Sequence, residues 1–507
     1  MRKIPATMAT QHPDNATAPY WHDSPFISTV DEVEECYRVF SDLGCDEYMW
    51  DWEGKFVDEA VVDRLFNKHE SYFQKHQLGR DKFLTFRVPN IWKERGYRLA
   101  RSYMTIITAA HTAAAHGVHT PPIFEVILPM TTEAAQLVAI LEKYRNALKY
   151  EREIFEERVA GEGRLEMIPL IEGSATLLHS RRILKEYVAR YRKLWKRKVP
   201  YLRPFIARSD PALDAGFVPA VLSARGAISE YYRFEEESGV PVYPIIGVGC
   251  PLFRGGLSPT TLDPFLENYA GVRTVTLQSA FRYDYPAAQV TRAVGRLKKE
   301  LPRLRPARFT EEQIREVIGF SEHFAAFYRP VIMKLAPTIN AVARFVPSHR
   351  ERIPHTGHFG YSRKLGKGTS LPRAISFVAT LASLGIPPSV VGTGRGLREL
   401  LKDKSAEKRL LKYLPTFVGD LERIGAYLNW ENLKFLVKKD PAWQAIREDV
   451  LFLEKFLGHR MGPRTSEEFV HRNLTSNIYH YWRAGKKAVP ELKDAILQAA
   501  RARRSLG

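Results

Sequence analysis

The chain has 507 residues, 45% of them hydrophobic and 26% charged, with a formal net charge of +19 and three cysteines. This is the composition of a globular protein with ample core, and length alone allows about three domains or one large barrel. No apolar run reaches the ~18 residues of a membrane span, since the best stretch, Phe377 to Val391, is broken by Pro387-Pro388.

The basic N-terminus is not followed by an apolar core segment, so no secretory signal is expected. Cys36, Cys45 and Cys250 have neither metal-like nor disulfide-like spacing, which fits a reducing cytoplasm. The positive charge is spread along the chain, with concentrations at Arg181–Arg203, Arg296–Arg308 and the 499–507 tail. No zinc-finger spacing or aromatic RNA-binding run accompanies it. Surface solvation and small anionic substrates therefore account for the charge better than nucleic acid.

In chain order, the first distinctive stretch is "MATQHPDN", residues 8–15. Its apolar content is too low to predict a helix or a strand, so it reads as a loop carrying His12 ahead of Pro13. Short apolar runs follow, each leading into a longer helical pattern. They are "CDEYMWDW" from Cys45, "KFLTFRV" from Lys82, "PIFEVILPM" from Pro122 and "LEMIPLIE" from Leu165. Next come "LRPFIARS" from Leu202, "PVYPIIGVG" from Pro241, "RTVTLQSA" from Arg273 and "PPSVVGTG" from Pro387.

The first seven begin about 30 to 45 residues apart, as repeated βα units do, and they are apolar on both faces, as buried parallel strands are. Helical patterns such as Glu133–Glu157 and Pro211–Glu237 lie between them. Eight units predict an α/β fold, a (β/α)8 barrel of the TIM type with helical insertions and a helical C-terminal region. The expected division is an N-terminal segment 1–44 carrying His12, a barrel over 45–397 with an insertion at about 286–386, and a helical region 398–507.

Chemistry in such a barrel belongs at the C-terminal strand ends. Arg87, Glu172, Arg208, Asp210, Arg254 and Arg282 all follow predicted strands, and Arg373 follows a polar loop at 355–370. Two carboxylates on neighbouring strand ends suit a hard divalent cation, Mg²⁺ or Mn²⁺. Arginines recognise phosphate and carboxylate bidentately. Glycines 247, 249, 255 and 256 would let backbone N–H groups approach an anion. The pattern suits a small substrate carrying both a phosphate and a carboxylate.

Each element also has a plainer reading. Asp210 in Ser-Asp-Pro suits a helix cap, Glu172 a cap or ion-pair partner, and Gly255-Gly256 a turn. His12 suits a packed loop histidine, and His355 with His358 suits loop packing. The functional reading rests on their coincidence at one rim.

These stretches also carry a resemblance. "ATQHPDN" is similar to the N-terminal signature of the short archaeal-type form of the phosphoenolpyruvate carboxylase family, and to "TAHPT" in its long form. "EMIPLIE" resembles "EVIPLFE", which implies Glu172 as a metal ligand. "IARSDPALDAG" resembles "IGYSDSAKDAG", which implies Asp210 as the second. "LFRGG" resembles the end of "HGRGGSIGRGG", which implies Arg254 as catalytic, with Gly255 and Gly256 beside substrate. "GYSRKLGKGTSLPRAISF" is similar to "GSRPAKR…SLRAIPW", which implies Arg363 and Arg373 as substrate-binding, and "LTFRVPN" adds Arg87.

The resemblance implies carboxylation of phosphoenolpyruvate by bicarbonate to oxaloacetate and phosphate, with Mg²⁺ as cofactor and His12 as base. It also implies a homotetramer, while the cysteines and composition fit a cytoplasmic protein without a nucleic-acid or membrane partner. Because an open site would lose enolate and carboxyphosphate to water, the 355–370 loop with glycines 357, 360, 366 and 368 is expected to act as a mobile lid. Leu213 stands where the long form has lysine, Ile246–Cys250 departs from the first half of its glycine loop, and the C-terminal residues differ. Weak aspartate and malate regulation is expected. The alternatives are another Mg-dependent barrel enzyme acting on phosphoenolpyruvate or pyruvate, which would not need His12, and a basic nucleic-acid-binding protein.

Overall fold

Eight short parallel strands close into a barrel: β1 Thr7–Thr10, β2 Glu47–Asp51, β3 Phe83–Arg87, β4 Glu125–Leu128, β5 Glu166–Ile171, β6 Phe205–Ala207, β7 Ile245–Gly247 and β8 Thr274–Leu277. A computed structural model describes residues 3–93, 96–155, 165–351, 363–365 and 369–507. Each strand pairs with the next, and β1 closes the ring through Thr7, Met8 and Ala9 opposite Val275, Thr276 and Leu277. Nearly every strand residue is buried, because the inner face fills the barrel and the outer face packs under helices.

The period of two along alternate strands stacks the interior in layers. At the N-terminal end, Arg203 just before β6 donates to Glu47 Oε2 at 2.7 Å and Glu125 Oε2 at 2.5 Å, and to Thr274 Oγ1 at 3.1 Å. Two residues further along each strand, Met49, Ile127 and Phe205 belong to an apolar layer with Met8, Ile168 and Ile245. The C-terminal mouth lies beyond it.

Seven predicted strands correspond to β2–β8, but the eighth does not. The run from Pro387 forms a 3-10 turn, Pro388–Val390, followed by a helix, Thr393–Leu400. Pro387 and Pro388 lack N–H donors. Gly392 then turns left-handed, with φ +75°, and its N–H donates to Asp449 Oδ2 at 2.8 Å. Arg395 clamps the same carboxylate through Nε and Nη2.

The missing strand is β1, inside the stretch read as a loop. The N-terminal segment therefore supplies a barrel stave, and the chain after Leu277 lies outside the strand order, not inserted within it. A second core forms around the helix Glu311–Ala343, which is longer than the predicted Glu311–Tyr328 and opens with a Thr310/Gln313 capping box. Among the described residues, no single helix is long and apolar enough to cross a membrane.

Candidate active site

His12 stands two residues past the end of β1, so the barrel itself carries it to the mouth. Thr10 Oγ1 lies 2.9 Å from its Nδ1 and orients the ring. The backbone carbonyl of His12 accepts from Asp14 N at 3.1 Å and Ser279 N at 3.3 Å. Glu172 is the first residue past β5, and Asp210 lies in the first turn of the helix Ser209–Ala215 after β6. Arg254 ends a 3-10 turn after β7, and Arg373 stands just ahead of the helix Ala374–Ser383. One cavity is lined by all five, with Arg87, Arg208 and Gln278 beside them.

The arginines at this mouth are not equivalent. Arg87 presents Nε and Nη2 to Asp51 at 2.8 and 2.6 Å, and Nη1 to Glu53 at 2.9 Å. Two carboxylates thus already occupy its fork. Arg208 donates to Tyr269 Oη at 2.9 Å and to the carbonyl of Phe253 at 3.2 Å, bracing the loop that bears Arg254. Arg254 pairs with the Asp14 side chain at 3.0 Å and makes three further bonds. Their acceptors are Ser209 Oγ at 3.2 Å, Gln278 Oε1 and an oxygen of Gly507, the last residue of the sequence. Burial pushes the Asp14 carboxyl up, and the Arg254 charge opposes this.

Other residues expected at the rim are used differently. Arg282 is fully buried and donates to Glu35 Oε1 at 2.7 Å. Arg350 binds both Glu35 oxygens at 2.7 Å, and Tyr48 and Tyr283 donate to the same carboxylate. Burial alone would raise the Glu35 carboxyl, but Arg350 and Arg282 outweigh it and hold the group at about 2.

Gly255 and Gly256 do not offer N–H groups to an anion. Their amides donate to Leu252 O at 3.0 Å and Gly249 O at 3.1 Å, within the turn. Their requirement is conformational, with φ of +119° and +75°. Gly249 has a different role: a Cβ there would meet the Arg254 guanidinium at 2.9 Å, so its small size makes room for that group. Arg363 lies on a short hairpin strand opposite Leu371. His355, His358 and Gly357, Gly360, Gly366 and Gly368 of the expected lid fall outside the described residues.

The donor set fits a hard cation. Glu172 and Asp210 present only oxygen, and they border the cavity together. Among the described residues no group of three or more His, Cys, Asp or Glu suits a metal, so water and substrate oxygens would complete the shell. Asp14, Ser209 and Gln278 escaped the sequence reading. Asp14 lies inside the very motif that marked His12, and Gln278 is the first residue past β8, a position that could have marked it.

The family described as "Phosphoenolpyruvate carboxylase" matches residues 4–507. A protein of that name from Metallosphaera sedula is 39% identical over 524 residues, covering 100% of both chains. Another from Leuconostoc mesenteroides is 38% identical over 499 residues, covering 98% of each. A third, from Methanothermobacter thermautotrophicus, is 37% identical over 523 residues and covers 100% of both.

Proposed function

The chain belongs to the phosphoenolpyruvate carboxylase family, and from that premise we propose how its mouth joins phosphoenolpyruvate and bicarbonate into oxaloacetate and phosphate. The observation that carries the reading is a single cavity bordered by His12, Glu172, Asp210, Arg254 and Arg373, which come from separate parts of the chain. Glu172 and Asp210 would hold Mg²⁺ or Mn²⁺, which when bound supplies positive charge for the phosphate and the enolate oxygen.

Arg254 and Arg373 offset the charge of two anionic reactants so that they can meet. Arg363 and Arg87 join them in this reading, Arg87 only by exchanging part of its hold on Asp51 and Glu53. A bicarbonate oxygen attacks phosphorus, and the bond to the enol oxygen breaks, leaving carboxyphosphate and enolate. His12 takes the carboxyl proton as carboxyphosphate separates into CO₂ and phosphate, and the enolate carbon attacks CO₂. A closed mouth matters because water would consume both intermediates. A homotetramer in the cytoplasm completes the proposal, supported by the family resemblance and the cysteine spacing.

The test is coupled detection of oxaloacetate and phosphate from phosphoenolpyruvate, bicarbonate and Mg²⁺. His12→Asn should keep phosphate release while oxaloacetate falls by on the order of 10²–10⁴-fold. Equal loss of both products would remove His12 from the role of base.

A further inference from the structure

We propose that Asp14 is a positioning residue that locks His12 and Arg254 into one register over the cavity. This rests on the reading just given. Arg254 borders the cavity, whereas Asp14 is absent from its lining and is fully buried. The carboxylate therefore grips the guanidinium from behind, Nη1 to Oδ2 at 3.0 Å, and aims its remaining surface at the mouth.

Every polar group of Asp14 is committed. Oδ1 accepts from Ala280 N at 2.7 Å, at the start of the helix Ser279–Tyr283. Its amide donates to the His12 carbonyl at 3.1 Å, and its carbonyl accepts from Leu506 N at 2.7 Å. Ser505 Oγ adds a longer bond to the same carbonyl at 3.3 Å. The residue two positions after His12 thus ties that segment to the Arg254 loop, to the chain after β8 and to residues 505–506.

The functional reading rests on where this network sits, beside the cavity and in the same segment as His12. Among the described residues, Asp14 is the one side-chain carboxylate paired with Arg254, and the same Nη1 also reaches an oxygen of Gly507. Asp14 and Gly507 fix the direction of the guanidinium through Nη1, while Nε and Nη2 rest on the neutral oxygens of Ser209 and Gln278. Because Asp14 and His12 share one short segment, shifting either changes the spacing between the base and the anion clamp. Misplacement of this kind by about 1 Å costs on the order of 10²-fold in rate.

Asp14→Asn keeps the shape and the acceptor for Ala280 but removes the charge that holds Arg254. Oxaloacetate formation should fall about 100-fold, with phosphate released in clear excess over oxaloacetate. The KM for phosphoenolpyruvate should move by less than about threefold, because the clamp is needed after binding. Asp14→Glu keeps the charge on a longer arm and should restore part of the rate and part of the coupling. If Asp14→Asn does not fold, Asp14→Glu carries the test, since phosphate should still exceed oxaloacetate.

A folded variant with one-to-one products and wild-type rate would overturn the proposal and leave Asp14 as a helix cap. Wild-type chain that made no oxaloacetate would overturn the underlying reading, and the proposal with it.

Discussion

At the N-terminal end of the barrel Arg203 is held by two carboxylates, Glu47 and Glu125, and all three are at most 2% exposed. At the C-terminal end Arg254, only 1% exposed, is held by Asp14, Gln278 Oε1 and an oxygen of Gly507, the last residue of the sequence. Residue type and burial are the same at the two ends, but what each guanidinium borders is not. Arg203 closes a network within the barrel, whereas Arg254 borders a cavity that Glu172 and Asp210 also face. A buried arginine therefore says little by itself. What it borders separates a plug from a site.

The contrast can be broken first at the mouth. Glu172→Ala and Asp210→Ala should each lower oxaloacetate production by on the order of 10⁴-fold. Melting temperature should stay within a few degrees of the parent. Retained activity in both variants would mean that the acidic pair does not serve the chemistry.

The opposite outcome is expected at the plug. Arg203→Met strands two buried carboxylates, so urea denaturation should report a loss of about 3–5 kcal/mol. The folded fraction should keep its kcat within about twofold. A large fall in kcat without a loss of stability would erase the distinction between the two ends.

A smaller effect sharpens the comparison through pH. Asp284 accepts from Ala16 N at 2.8 Å and from Thr17 N at 2.8 Å, holding the segment just past His12. Burial raises its carboxyl to about 7 despite those bonds. The folded protein therefore holds this proton more tightly than the unfolded chain, whose carboxyl titrates near 3.8. The stabilisation is full below about 3.8 and is lost as pH rises through about 7. Between pH 5 and 8 it should amount to roughly 2 kcal/mol. Asp284→Asn should flatten that part of the curve of unfolding midpoint against pH, and an unchanged curve would reject the titration.

Much of this was readable from residues in order. β2–β8 announce themselves because strands buried on both faces must be apolar throughout, and their spacing leaves room for one helix each. Glu172, Asp210 and Arg254 were found because a barrel presents strand ends to its mouth. β1 was hidden because "TMAT" is short and half threonine, and its burial comes from neighbours on both sides, β2 and β8. The run at Pro387 misled because length and apolarity match a strand. The prolines, together with the Asp449 carboxylate reached only in the fold, turned it into a helix start instead.

Local order along the chain determined the barrel class, seven of its eight strands and the residue types available for the chemistry, because periodicity and strand-end position are local properties. Tertiary structure alone decided which charges cancel. It gave Arg87 two carboxylates, diverted Arg282 to Glu35 and set Asp14 behind Arg254. The physical reason is that pairing depends on distances of a few ångströms between residues far apart in sequence, 247 positions for Arg282 and Glu35. Those distances exist only once the ring of strands has closed.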